Sequence, residues 1–303
     1  MKSKIMLIFP VVIILIVTLG CGAGGKVSGS ATETPQTSVL TPTIFPTETQ
    51  ITAPTQTAEP TQTAAPTGPC VNVFYPFVPG YQWIYQADDG DDTTNDAAKI
   101  GLTVSGVDGS QAKIDALDLS TGIITHTTAE CADGAIQNYP MLTLGTLFGD
   151  LLTGDLKITY ESGVFMPAET DLAAANWVAT WTGDYKANGT FSATEDDEIT
   201  TLVLNDSPVH MEWSLTGHEP VAVAAGTYAD AYKVTRKASA AVSLNTEGMN
   251  VKAKLIVNTN QWYAAGVGLL KNVVDSASVE YQGITFPIEM KSRLELVEFR
   301  QGQ

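Results

Sequence analysis

Lys99-Ile100-Gly101-Leu102-Thr103-Val104-Ser105-Gly106-Val107 runs into Asp108-Gly109, and Gln111-Ala112-Lys113-Ile114-Asp115-Ala116-Leu117 leads away from it. Both flanks alternate apolar and polar residues, the side-chain period of a strand with one buried face. Asp-Gly between two such runs signals a β-hairpin, because tight hairpin turns need positive φ.

The same pattern extends outward in both directions. Upstream, Tyr81, Trp83 and Tyr85 share one face of a strand, and the Asp88–Asp92 run makes a turn. Downstream, Gly122–Thr128 follows, then the alternating Trp177, Ala179 and Trp181. Asn188-Gly189 reads as a turn, with strands over Ile199–Leu204 and Val209–Leu215. Further short strands read over Val221–Ala224, Ala231–Thr235, Val251–Val257, Trp262–Leu270, Ser278–Tyr281 and Arg293–Phe299. Many short strands with near-adjacent turns predict an antiparallel meander. One segment departs from period two. Leu144, Leu147, Phe148, Leu151 and Leu152 have helical spacing between Pro140 and Gly154. Met166–Asn176 reads as a second, shorter helix with Pro167 in its first turn. The expected fold is mainly β: a curved antiparallel sheet or half-open barrel, with one or two short helices packed on one face.

The amino-terminal third reads differently. Lys2 and Lys4 precede an apolar run from Ile5 to Leu19, too short to match the roughly 20 residues of a membrane span. Thr18-Leu19-Gly20-Cys21 follows it and resembles a lipobox, with Thr18 where Leu is usual. The resemblance implies a signal peptide over 1–20 and a lipidated Cys21 as first mature residue. Two or more acyl chains there give stable anchoring. The alternatives are ordinary cleavage with a free Cys21, and a retained single-pass anchor. Residues 31–69 hold 13 Thr and 7 Pro, too polar to offset the entropy of ordering. Residues 21–69 are thus expected to be a disordered stalk, reaching roughly 150 Å if fully extended and about 40 Å as a coil. A single β-rich domain is expected over 70–303.

The net charge of −17 disfavours nucleic acid as a partner, since an acidic chain repels phosphate backbones. With Cys21 acylated, Cys70 and Cys131 remain as a pair in an oxidising compartment. They either form a disulfide, closing a loop of about 60 residues, or stay as two buried thiols.

Three stretches carry a resemblance: Pro79-Gly80-Tyr81-Gln82-Trp83-Ile84-Tyr85; Glu219–Tyr228 with Ala231-Tyr232-Lys233-Val234; and Trp262–Lys271. Over most of residues 75–300 their order resembles exported bacterial β proteins distantly related to the lipoprotein-carrier (LolA/LolB-like) half-barrel fold. The resemblance implies a curved sheet half-closed around helices, and by analogy a lipid on its concave face. It carries over no catalytic residue. In the residues themselves, Ala225-Gly226-Thr227 reads as a turn, and Gly266 and Gly268 as a bulge or bend within a strand.

Site signals are thin. His210, Glu212 and His218 supply three ligand types on one short stretch, and the plainer reading is exposed strand residues. Asp88, Asp89, Asp91, Asp92, Asn95 and Asp96 lack the glycine and distal glutamate of a calcium loop, and Glu195–Glu198 sits beside a hairpin. Gly266-Val267-Gly268 lacks the third glycine and following helix of a dinucleotide site. No nucleophile elbow, phosphate loop or Cys-x-x-Cys occurs. No cofactor or metal is expected, and no enzyme activity. Trp83, Leu144, Leu147, Phe148, Leu151, Trp177 and Trp181 are candidate lining for a ligand groove, against the plainer reading of core packing. The leading expectation is an extracytoplasmic lipoprotein, held to the cell membrane through Cys21, whose domain binds a ligand or an envelope component. A hydrophobic-ligand carrier and a hydrolase without a recognised motif are the alternatives.

Overall fold

A computed structural model describes residues 67–88, 98–139, 153–195, 198–246, 249–288 and 292–302. The signal peptide, Cys21, nearly all of the stalk, the acidic turn over 89–97 and the Leu144–Leu152 helix lie outside the described residues.

Among the described residues, thirteen strands and one short helix follow in order: β1 (Gln82–Asp88), β2 (Ala98–Asp108), β3 (Gln111–Asp118), β4 (Ile124–Ala132), β5 (Ala135–Asn138), β6 (Thr153–Gly163), α1 (Glu169–Ala174), β7 (Thr180–Glu195), β8 (Glu198–Val223), β9 (Gly226–Thr246), β10 (Met249–Ala264), β11 (Gly268–Tyr281), β12 (Ile284–Ile288) and β13 (Arg293–Arg300). They form one antiparallel sheet in the order β5-β4-β3-β2-β1-β13-β11-β10-β9-β8-β7-β6, with β12 paired to the far half of β11. The two ends of that order meet. Ile136 of β5 exchanges backbone hydrogen bonds of 2.8 and 2.9 Å with Met166, just beyond β6. The sheet is therefore a nearly closed barrel, roughly as the expected curved sheet or half-open barrel describes, with that contact bringing its two ends together. Closure removes the exposed backbone donors and acceptors that make sheet edges a hazard.

Strand sequences explain the interior. On β3, Ala112, Ile114 and Ala116 face in while Gln111 and Lys113 face out. Tyr81, Trp83 and Tyr85 all turn to the core, as their spacing predicts. The Asp108-Gly109 hairpin forms, with Asp108 opposite Gln111 and Gly109 at φ 58°.

Four local expectations change. Asn188-Gly189 is not a turn but lies inside β7, where Asn188 accepts a hydrogen bond from Asp206 N (2.8 Å) and donates to its Oδ1 (3.0 Å). These bonds brace an irregularity in β8 between Val203 and Val209, so the two strands expected over Ile199–Leu215 are one bent strand. Trp262–Leu270 is instead a hairpin, with Ala264 opposite Gly268 and Gly266 at φ 72° in the turn. The shorter helix is confined to the six residues of α1, and Pro167 precedes its cap residue Ala168.

The segment from Cys70 to Tyr81 packs as a strap against the core. Asn72 pins it, donating to Gly134 O (2.8 Å) and Pro167 O (2.7 Å) and accepting from Phe74 N (2.9 Å). The Cys70–Cys131 disulfide forms and ties the strap to β4.

The β3–β4 turn carries a pH-sensitive carboxylate. Asp118 accepts from the side chain and backbone N–H of Ser120 and from Thr121, which lowers its pKa to about 2. A depressed carboxylate stabilises above its unfolded value and loses that contribution as pH falls through the folded one. Asp118 carboxyl NMR shifts should titrate near pH 2, and Ser120→Ala should move the midpoint upward. A midpoint at the ordinary aspartate value would refute the turn geometry.

Candidate functional site

Of the tryptophans proposed from the sequence, Trp83 and Trp181 belong to the hydrophobic core and Trp177 packs against it. Trp83 is buried, and its indole donates to Val267 O at 2.6 Å. Trp181 is buried, stacks on Trp213 at 6.2 Å and donates to Phe165 O at 3.0 Å. Trp177 packs against Phe74 and Tyr232. Trp83 and Trp181 are buried with their indole N–H groups satisfied. Leu144, Leu147, Phe148 and Leu151 lie outside the described residues.

The histidines do not gather. His126 pairs with Asp115 at 2.7 Å, His210 with Asp184 at 2.7 Å and His218 with Asp230 at 3.1 Å. Each sits on the outer face beside its own aspartate, so His210, Glu212 and His218 do not converge on one point.

A cleft of about 480 Å³ opens across the outer face of β6 to β10. It is lined by Glu161, Ser162, Asp184, His210, Ser239 and Lys254, among others. Asp184, His210 and Ser239 stand in cross-strand register on β7, β8 and β9. Asp184 also accepts from Ser162 at 3.1 Å. Its carboxyl is held below the ordinary aspartate value, chiefly by the hydrogen bond from His210. The order acid, imidazole, hydroxyl invites comparison with a nucleophilic triad. Among the described residues, however, no hydrogen bond joins Ser239 to His210, and Ser239 is paired on both sides as a mid-strand residue. A mid-strand backbone committed to its neighbours offers no spare N–H pair for an oxyanion.

The interior holds a more unusual group. Arg236 on β9 is 1% exposed, between inward-facing Val234 and Ala238. It lies opposite Trp213 on β8 and Thr259 on β10. Its Nε, Nη1 and Nη2 are buried and find no hydrogen-bond partner among the described residues. Tyr75, Tyr185 and Tyr263 surround it closely enough to interact electrostatically, and burial pulls its pKa down. A guanidinium nevertheless stays charged in proteins. An uncompensated buried charge costs on the order of several kcal/mol.

Around it lies a neutral polar network. Tyr263 donates to Gln261 Oε1 at 3.3 Å, and Gln261 donates to Asn272 Oδ1 at 3.1 Å. Burial raises the pKa of Tyr75 and Tyr85 well above the usual phenol value and that of Tyr263 to about 12, so these hydroxyls remain protonated donors. Sequence reasoning passed over this group. The available signal was a charged residue at an inward position of period-two alternation, Val234-x-Arg236-x-Ala238.

No protein-family model and no curated protein matches the chain. Among solved structures it is similar to a candidate lipoprotein from Parabacteroides distasonis, with a TM-score of 0.46 and 16% identity over 76% of this chain and 99% of that one. It is also similar to a candidate exported protein with a YmcC-like fold from Bacteroides fragilis, with a TM-score of 0.42 and 15% identity over 76% of this chain and 100% of that one.

Proposed function

We propose that this protein is an extracytoplasmic lipoprotein, tethered through Cys21, whose barrel is a non-catalytic binding domain. The observation that carries the reading is the Cys70–Cys131 disulfide. It clamps the domain at the first residue after the Thr/Pro tract, where a tether would load it, and such crosslinks belong to oxidising compartments. The lipobox-like Thr18–Cys21 supports the anchor, and the stalk composition supports a spacer between membrane and barrel. The outer Asp184–His210–Ser239 row favours a hydrolase less, since its serine lacks both an activating hydrogen bond and an oxyanion site. A hydrophobic-ligand carrier draws on the barrel shape, but a stably acylated chain stays where it is anchored.

Replacing Cys21 by Ala tests the reading. The variant is expected in the soluble extracytoplasmic fraction, while the unsubstituted protein sediments with membranes and takes up labelled fatty acid. Continued sedimentation of the Cys21→Ala protein would overturn the anchor.

A further inference from the structure

Among the described residues, one buried and unpartnered side-chain atom is an acceptor, Asn138 Oδ1 on β5, but those on β7 to β11 share one character. Arg236 Nε, Nη1 and Nη2, the Tyr185 hydroxyl, Thr259 Oγ1 and Asn272 Nδ2 are buried and unpartnered. Every one of them can donate. The guanidinium and the amide nitrogen can do nothing else. The neighbouring acceptors are already taken, Gln261 Oε1 by Tyr263 and Asn272 Oδ1 by Gln261. No carboxylate among the described residues pairs with Arg236, and no aromatic ring there takes it as a cation–π partner. Thr259 is its direct cross-strand neighbour, and both side chains face inward. The missing group is therefore an acceptor, and the missing charge is negative.

We propose that the barrel interior holds an oxyanion, a carboxylate or a phosphate, bound by Arg236 with Thr259 and Tyr185 completing its hydrogen bonds. This rests on the reading of the barrel as a binding domain and names the chemistry of what it binds. The planar fork of an arginine suits two oxygens of one anion at once, which a lysine does not. The walls beside the site, Met211, Trp213, Val234 and Val257, are apolar and buried. They accept a free anion or the head of an amphiphile. The guanidinium is sealed from solvent, so the anion enters as the barrel closes or opens, and then exchanges slowly.

The test uses the full mature chain carrying Cys21→Ala, so that no acyl chain of its own competes. It is unfolded in urea with its disulfide intact. It is then refolded with acetate, inorganic phosphate, dodecanoate or dodecyl phosphate, or with dodecanol as the uncharged control. Thermal midpoints and native mass spectra are recorded for the Arg236 protein, Arg236→Met and Arg236→Lys. An oxyanion should raise the midpoint of the Arg236 protein and be retained in its mass spectrum, since a ligand that binds only the folded state stabilises it. Arg236→Met should lose about 100-fold in affinity, as removing one partner of a buried charge pair does. Without anion it should melt at or above the Arg236 protein, because an unpaired buried charge has gone. Arg236→Lys should fall between them. Stabilisation by acetate and phosphate as well as by the tailed anions assigns the site to a free anion, and stabilisation by the tailed anions alone assigns it to an amphiphile head. The proposal is overturned if dodecanol acts as well as dodecanoate, or if no anion shifts the midpoint. It also fails if Arg236→Met destabilises the anion-free protein while Arg236→Lys does not. Should Arg236→Met fail to fold, the Arg236 protein and Arg236→Lys still decide the matter. Release of the Cys21→Ala chain from membranes is read separately, so loss of the anion site and loss of the tethered-domain reading give different results.

Discussion

Reducing the Cys70–Cys131 disulfide is expected to lower the stability of the domain by about 4 kcal/mol, and its melting temperature by roughly 10 °C. The bond closes a sequence separation of 61 residues, which includes β1, β2 and β3 and most of β4. Opening it returns that chain entropy to the unfolded state. It also frees the strap at its root. Beyond Cys70, hydrogen bonds that hold the strap to the barrel include the two that Asn72 donates, the bond from Gly266 N to Val73 O at 2.9 Å, and the pair between Gly80–Tyr81 and Val104 at 2.8 and 3.0 Å. Melting curves with and without a phosphine reductant measure the effect, and a Cys70→Ala/Cys131→Ala protein supplies the control. The double variant should melt low and ignore the reductant. Equal melting of the oxidised and reduced protein would show that the strap is held without the crosslink.

Phe74→Ala is expected to cost about 4 kcal/mol, the usual range for removing a fully buried ring. Phe74 is 0% exposed and meets Tyr232 at 4.8 Å, Tyr263 at 5.3 Å and Trp177 at 6.2 Å between ring centroids. These rings come from β9, from β10 and from the turn after α1, so the residue joins three parts of the barrel to the strap. Truncation leaves a cavity among side chains fixed by strand backbones, which cannot collapse inward to fill it. Phe74→Leu should cost less, about 1.5 kcal/mol, because most of the volume stays. Chemical denaturation of both variants gives the comparison. Hydrogen exchange should show the amides of Phe77 and Tyr81 opening before those of β9 and β10. If Phe74→Ala costs no more than an exposed substitution, the strap does not pack against the core through Phe74.

The candidate site was far less legible than the strands. Trp83 and Trp181 attracted a groove assignment because large aromatics suit both cores and ligand walls. The structure buries both and satisfies their N–H groups at Val267 O and Phe165 O. His210 looked like a ligand from its neighbours along the chain, whereas its actual partner, Asp184, lies 26 residues away on another strand. Arg236 drew no reading at all, because it falls just past the Ala231–Thr235 strand expected from local pattern. In the structure β9 continues to Thr246 and carries Arg236 inside.

The sequence by itself determined what depends on neighbouring residues. These include the period-two faces of Tyr81–Tyr85 and Gln111–Leu117 and the Asp108-Gly109 turn. Such features follow from backbone geometry repeated every two residues, and from residues that alone tolerate positive φ. Tertiary structure decided what depends on distant segments meeting. Ile136 finding Met166 brings the two ends of the sheet together, Asn188 bracing Asp206 turns a predicted loop into strand, and Gly266 turns a predicted strand into a hairpin. The isolation of Arg236 is of the same kind. Whether a buried charge has a partner is set by every strand that faces it, and those strands are brought together only by the closed sheet.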